Sequence, residues 1–212
     1  MKPTTLYFLR HGSTMLNEDS DRFCGRTDPS LSPTGIEQIN KIALELKNNL
    51  SIGHIIASPL KRAVESAEII SRELASPYVV NNDIREIDFG EWEGLTKAEI
   101  NVKYPGVLEK WFLRPDLTIP PGGENPHDVV KRAISFKKQV MEKEGAILIV
   151  SHKTFLRIAM CTWLSIPLKN YRHIFNIHSG SLSCTRLDSI GSKLVFLNWV
   201  PGQYIPRLME ND

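Results

Sequence analysis

The sequence predicts an α/β fold, a three-layer α/β/α sandwich with a mostly parallel sheet and helices on both faces. Three observations lead there. Short apolar runs rich in strand formers alternate with longer runs at helical spacing, the pattern of a parallel sheet covered by helices. The run Ala146 to Val150 is apolar throughout, as in a strand buried on both sides. The length of 212 residues suits one domain with a sizeable core.

In order, Thr5 to Leu9 reads as the first strand and ends at Arg10-His11-Gly12. A polar stretch follows from Ser13 to Asp28. Ser32-Pro33 then reads as an N-cap with proline in the first turn, followed by Ile36, Ile39, Ala43, Leu46 and Leu50 on one helical face. His54 to Ala57 reads as a second strand. Ser58-Pro59 repeats the capping pattern before a stripe of Leu60, Ala63, Ala67, Ile70 and Leu74. Tyr78 to Val80 is a third strand. Thr96 to Glu99 matches a capping box opening a short helix up to Tyr104. Residues 91–124, rich in proline, glycine and tryptophan from Pro105 onward, are expected to form a cap or lid on a single domain spanning 1–212. Asn125-Pro126 opens a helix carrying Val129, Ala133, Phe136 and Val140. Thr154 to Leu164 is another helix, and Ser181 to Leu187 with Lys193 to Trp199 form a closing hairpin around Ser189-Ile190-Gly191.

Composition narrows the partners. Lys and Arg number 26 against 24 Asp and Glu, a net charge of +2, which gives no reason to expect nucleic acid or an anionic membrane. No apolar run approaches the roughly 18 residues of a membrane span, and Arg10-His11 interrupts any signal-peptide core. The three cysteines, Cys24, Cys161 and Cys184, are far apart and form no metal-binding or disulfide pattern. The expected location is the cytoplasm.

In open α/β sheets ligands bind beyond the carboxyl ends of the strands. That rule selects His11, after the first strand, and His152, after Ala146 to Val150. Arg10 and Arg62 sit at the same level. Arginine forks suit the oxygens of a phosphate ester. A neutral imidazole can attack phosphorus if its second nitrogen has a partner, for which a backbone carbonyl is expected. The leaving oxygen needs an acid. The loop from Arg85 to Gly94 offers Glu86, Asp88, Glu91 and Glu93, and the pattern alone does not choose among them.

Leu9-Arg10-His11-Gly12-Ser13-Thr14 with Asn17, Gly25-Arg26-Thr27-Asp28 with Leu31-Ser32-Pro33-Thr34-Gly35, and Ser58-Pro59-Leu60-Lys61-Arg62-Ala63 resemble successive motifs of the histidine phosphatase superfamily, the phosphoglycerate mutase-like group. Glu86 with Gly90, Trp92, Glu93 and Gly94, then Gly122-Gly123-Glu124 and Val150-Ser151-His152, resemble the remaining ones in family order. The resemblance implies a phosphoglycerate mutase-like fold with His11 as the residue that becomes phosphohistidine. It implies phosphate held by Arg10, Arg62 and His152, with Asn17 assisting, and Glu86 as acid and then base. No two histidines have close ligand spacing on one element, so no metal is expected, and no cofactor is expected. Lys153 stands where the family often has glycine and is a candidate contact at the site mouth. The segment between Trp92 and Gly122 looks shorter than in the cofactor-dependent mutases, which favours hydrolysis. Compact members such as cofactor-independent phosphoserine phosphatases and α-ribazole phosphatases look most similar, including an aromatic tail from Trp199 to Tyr204.

Thr27 and His178 complete the candidate phosphate or substrate contacts. His54, His127 and His173 read as structural, solvated or near the last crossover. Trp92, Trp111 and Trp163 read as core or cap packing, and Lys137-Lys138 as a solvated face. The expected activity is hydrolysis of a small phosphorylated metabolite, by a monomer or a homodimer. Phosphoryl transfer as a mutase, and a non-catalytic phosphate-binding module, are the alternatives.

Overall fold

A computed structural model describes residues 3–18, 22–188 and 191–203. Its sheet has six strands: β1 (Thr4–Arg10), β2 (Ile52–Ala57), β3 (Tyr78–Val80), β4 (Ala146–Ser151), β5 (Leu182–Leu187) and β6 (Ser192–Trp199). Their order is β3-β2-β4-β1-β5-β6. The first four in that order run parallel, and β5 and β6 add antiparallel at the β1 edge. The sheet is mostly parallel as expected. Of the turn around Ser189-Ile190-Gly191, Ser189 and Ile190 lie outside the described residues, as does the aromatic tail from Tyr204.

Eight α-helices are described: α1 (Met15–Glu18), α2 (Pro33–Asn49), α3 (Lys61–Leu74), α4 (Lys97–Lys103), α5 (Val107–Leu113), α6 (Pro126–Met141), α7 (Lys153–Trp163) and α8 (Tyr171–Ile174). Strand alternation sends Leu6, Phe8, Ile147 and Ile149 to one face of the sheet, against α6 and α7. It sends Tyr7, Leu9, Leu148 and Val150 to the other, against α2 and α3. None of the helices among the described residues is long and apolar enough to cross a membrane.

Local chemistry sets the helix starts. Ser32 caps α2 by accepting from the Gly35 N–H, and Thr96 and Glu99 close the capping box of α4. Two expectations are corrected. Ile36 is exposed and Ile42 takes its place in the core, because α2 packs through Gly35, Ile39, Ile42, Ala43 and Leu46. Ser58 does not cap α3, which begins at Lys61. The Lys61 N–H is met by Asp28 Oδ1 at 2.6 Å, from a distant loop, and Ser58 is left for another task. The stretch from Pro105 holds a helix, α5, whose Leu108 and Trp111 join the core.

Candidate active site

Strand order builds the site. β1 and β4 are neighbours, with Arg10 beside Ser151 in register, so the residues that follow them emerge side by side. The His11 and His152 rings lie 5.1 Å apart, centre to centre. The turn after β1 depends on close backbone contact. A Cβ on Gly12 would stand 2.4 Å from the Gly35 carbonyl oxygen, and one on Gly35 would stand 2.1 Å from that of Ser13.

His11 is buried, and both its ring nitrogens are committed. Nδ1 lies 2.7 Å from the Gly12 carbonyl oxygen, which can only accept, so Nδ1 carries the proton. Nε2 then holds the lone pair, and it accepts from Arg62 Nε at 3.1 Å. Burial, then the charges of Arg62 and Arg10, push the His11 pKa well below its ordinary value, against the weaker opposing pull of the Gly12 carbonyl. His11 is therefore a neutral imidazole of one tautomer near pH 7.

Arg62 is itself buried and held as a fork. Its terminal nitrogens donate to the carbonyls of Gly25 and Thr27, each at 2.8 Å. Glu93 fixes that carbonyl-bearing loop: its carboxylate accepts from the N–H groups of Arg26, Thr27 and Phe89 and from the Thr27 hydroxyl. Arg10, at the end of β1, donates to the Ile177 carbonyl at 2.9 Å.

His152 is fully buried. Its Nε2 lies 2.6 Å from Ser58 Oγ, the task that takes Ser58 from capping. Ser58 Oγ also accepts from the Leu60 N–H at 3.4 Å. His152 Nδ1 has no hydrogen-bond partner among the described residues. Burial and then Arg62 lower the His152 pKa well below its ordinary value, with His11 adding to the shift.

Of the four loop carboxylates, Glu86 is the one that lines the cavity. It is buried at the start of α7. Oε1 accepts from the N–H groups of Ile87 and Phe155 at 3.0 and 2.8 Å, and Oε2 accepts from Thr154 at 3.0 Å. Asp88 turns to Arg26 and the Gly90 N–H, Glu91 is exposed beside Lys103 and Tyr104, and Glu93 holds the Thr27 loop. Arg132 keeps the stem of the Glu86 loop in place, donating to the carbonyls of Asp83 and Arg85 and to Glu124.

Arg10, His11, Arg62 and Glu86 line a cavity of about 150 Å³; His152, whose ring lies 5.1 Å from that of His11, is not among the lining residues. Lys153 lines it, as expected for a residue at the mouth. Asn17 falls on α1, with its side chain outside the described residues. Two candidates are placed differently from the expectation. Thr27 turns its hydroxyl to Glu93 and contributes its carbonyl to Arg62 instead. His178 is exposed and is not among the lining residues. Its N–H donates to Asn198 Oδ1 and its carbonyl accepts from Ser181, both structural bonds of the last crossover. Trp92, Trp111 and Trp163 are buried, and Phe23 meets Phe89, Trp92 and Trp111 with ring centres 5.0 to 5.5 Å apart. Phe23, Phe89 and Trp111 form the apolar wall of the cavity. Arg157 and Arg172 also line it and went unread in the sequence; the helical spacing of Lys153 and Arg157, four apart on α7, was the available signal. Among the described residues there is no group of three His, Cys, Asp or Glu that could hold a metal ion.

The chain is 40% identical over 164 residues to a bifunctional protein of Mycobacterium tuberculosis, covering 74% of this chain and 44% of that protein. It thus spans less than half the length of that relative. It is 29% identical over 196 residues to phosphoserine phosphatase 1 of Hydrogenobacter thermophilus, covering 91% of each. Its fold superposes on a mycobacterial glucosyl-3-phosphoglycerate phosphatase with a TM-score of 0.84 at 25% identity, covering 92% of this chain and 99% of that one. The model of the histidine phosphatase superfamily (branch 1) matches residues 6–200, every motif of the site included, and the chain belongs to that superfamily.

Proposed function

We propose that the chain is a phosphatase that hydrolyses a small phosphomonoester through a phosphohistidine on His11. The observation that carries this is the fixed tautomer of His11, with Nδ1–H on the Gly12 carbonyl and the Nε2 lone pair held toward Arg62. Nε2 attacks phosphorus and the ester P–O bond breaks. The Arg62 Nε–H that faces the lone pair moves to a phosphoryl oxygen, where Arg10 and His152 Nδ1–H also donate. Glu86 gives its proton to the leaving oxygen. Its Oε2, with one N–H partner against two on Oε1, is the oxygen with room to carry that proton. In the second half-reaction Glu86 takes a proton from water, whose oxygen attacks phosphorus. The N–P bond breaks, releasing inorganic phosphate and neutral His11.

Relatives named phosphatases support water as the acceptor. The charge at phosphorus comes from Arg10 and Arg62, with His152 as a neutral donor, so the proposed reaction needs no metal. Residues 1–212 act as one domain, with 91–124 as its cap, and Lys153 and Asn17 assist at the mouth. The enzyme works in the cytoplasm on a phosphorylated metabolite, as a monomer or homodimer.

The test is phosphate release by purified protein with p-nitrophenyl phosphate and alkyl phosphates, in the presence of excess chelator. His11→Ala abolishes release, and the wild type forms an acid-labile phosphohistidine detectable by mass spectrometry. Retention of more than a few per cent of activity by His11→Ala refutes the nucleophile. Loss of activity with chelator, restored by Mg²⁺, refutes the metal-independent route.

A further inference from the structure

Two arginines that the phosphoryl chemistry does not use line the same cavity. Arg157 projects from α7, one turn beyond Lys153, and Arg172 from α8. Arg172 sits over the aromatic wall, its guanidinium carbon 3.3 Å from the Trp111 ring centre and 4.4 Å from that of Phe112. Among the described residues the hydrogen bond that Arg157 makes is a long one to Asn176 Oδ1, at 3.3 Å. Each retains a buried N–H with no acceptor, Arg157 at Nε and Arg172 on one terminal nitrogen. Neither forms an ion pair with a carboxylate among the described residues.

Each is a desolvated charge facing another of the same sign. Burial, then Tyr171 and Arg157, act on Arg172, whose pKa is pushed down to about 10, and Arg157 is lowered by burial as well. Both stay charged near pH 7. Glu86 is the acid whose field reaches Arg157, but three backbone N–H groups already occupy its oxygens. A buried Arg157 and a half-buried Arg172 without a carboxylate in ion-pair contact are costly to keep side by side in the empty protein. An anion entering the cavity would satisfy their open donors and remove that repulsion.

We infer that Arg157 and Arg172 form a second anion subsite, so that the substrate is a phosphomonoester bearing a further anionic group, a carboxylate or a second phosphate, at the end away from the scissile bond. The reaction assigned to this substrate rests on the phosphatase reading above; the subsite itself is tested by binding alone. The guanidinium plane of Arg172, backed by Trp111, favours a planar bidentate carboxylate, and Arg157 lies on the Glu86 side of it.

The experiment uses the full chain with His11→Ala, which cannot turn over, and three probes: 3-phosphooxypropanoate, its uncharged primary amide, and propane-1,3-diyl bisphosphate. Calorimetry reads their affinities. The acid is expected to bind about 10- to 100-fold more tightly than the amide, the range for charge-assisted hydrogen bonds. That ratio should fall toward one when Arg157→Gln or Arg172→Gln is added. Arg172→Lys keeps the charge and loses the fork, and should retain only part of the ratio. The bisphosphate arm decides between the two anions: tighter binding than the acid names phosphate, weaker binding names carboxylate. Equal affinity for acid and amide overturns the inference, as does a ratio unchanged in the arginine variants. Absence of phosphate release by the wild type would overturn only the phosphatase reading, since the affinity ratio stands without turnover.

Discussion

Replacing Glu86 by glutamine changes two things at once, and the structure separates them. The carboxylate is the anchor for the first turn of α7, accepting from Ile87, Thr154 and Phe155. In Glu86→Gln the amide oxygen can take the Oε1 position and keep two N–H partners, now as a neutral acceptor of roughly half the strength. The amide nitrogen then faces the Thr154 N–H, donor against donor. One charge-assisted bond lost, two weakened and a helix N-terminus deprived of its negative charge together cost about 2–4 kcal/mol. Against a typical stability of about 5–15 kcal/mol the variant stays folded but weakened. Urea unfolding measures that loss. Kinetics at a temperature where both proteins are folded measure the second effect. Alkyl phosphates should slow by about 10²–10⁴-fold, because their leaving oxygen needs a proton. p-Nitrophenyl phosphate should slow much less. Glu91→Gln is the control, since Glu91 is exposed and bound to Lys103 and Tyr104 away from the cavity. Equal slowing of both substrate classes refutes Glu86 as the acid. Unchanged stability refutes it as the anchor of α7.

Three further outcomes follow from the geometry. His11 and His152 both have lowered folded pKa values, so below about pH 6.5 the unfolded chain binds protons that the folded chain does not. Stability is complete above that pH and falls on acidification by about 1.4 kcal/mol per pH unit for each histidine, and in urea titrations from pH 7.5 to 5.5 His152→Ala should show the smaller slope. Gly90→Ala puts a Cβ 2.2 Å from the Pro121 carbonyl oxygen at a φ of +53°, and should cost about 2 kcal/mol or more, read as a lower midpoint in thermal unfolding. Glu93→Gln weakens the hold on the loop that positions Arg62, and should lower kcat/KM about tenfold; unchanged kinetics would mean that the loop is held without it.

The chemistry at the strand ends was legible because it is local. A histidine directly after a buried strand has few places to go, and two such strands in an α/β sheet bring two histidines to one crevice. Ser32 could be read as a cap because its acceptor role is met three residues away by Gly35. Ser58 presents the same Ser-Pro pattern and does something else, since Asp28 supplies the cap and His152 claims the hydroxyl, both through tertiary contacts. The choice among four loop carboxylates was open for a similar reason. Glu86 is selected by the N–H groups of α7, some seventy residues further along the chain. Arg157 and Arg172 went unread, because the four-residue spacing of Lys153 and Arg157 marks a shared helix face without saying that the face turns inward.

The Glu86 loop and the Gly-Gly-Glu segment are stitched together across a narrow neck. The Glu91 N–H reaches the Pro121 carbonyl, the Glu124 N–H reaches that of Asp88, and Gly90 and Gly123 admit the close approach of the two strands of chain. Arg132 locks the same neck from α6 through Glu124 and the carbonyls of Asp83 and Arg85. Everything between Gly94 and Pro120 therefore leaves and re-enters the domain at one clasped point. Such a segment is a partly exchangeable cassette: its length and exposed side chains can change while Ile100, Leu108 and Trp111 keep it seated on the core. An engineer grafting a new cap would need to preserve the clasp and the core contacts of Ile100, Leu108 and Trp111, and could vary the exposed positions between them.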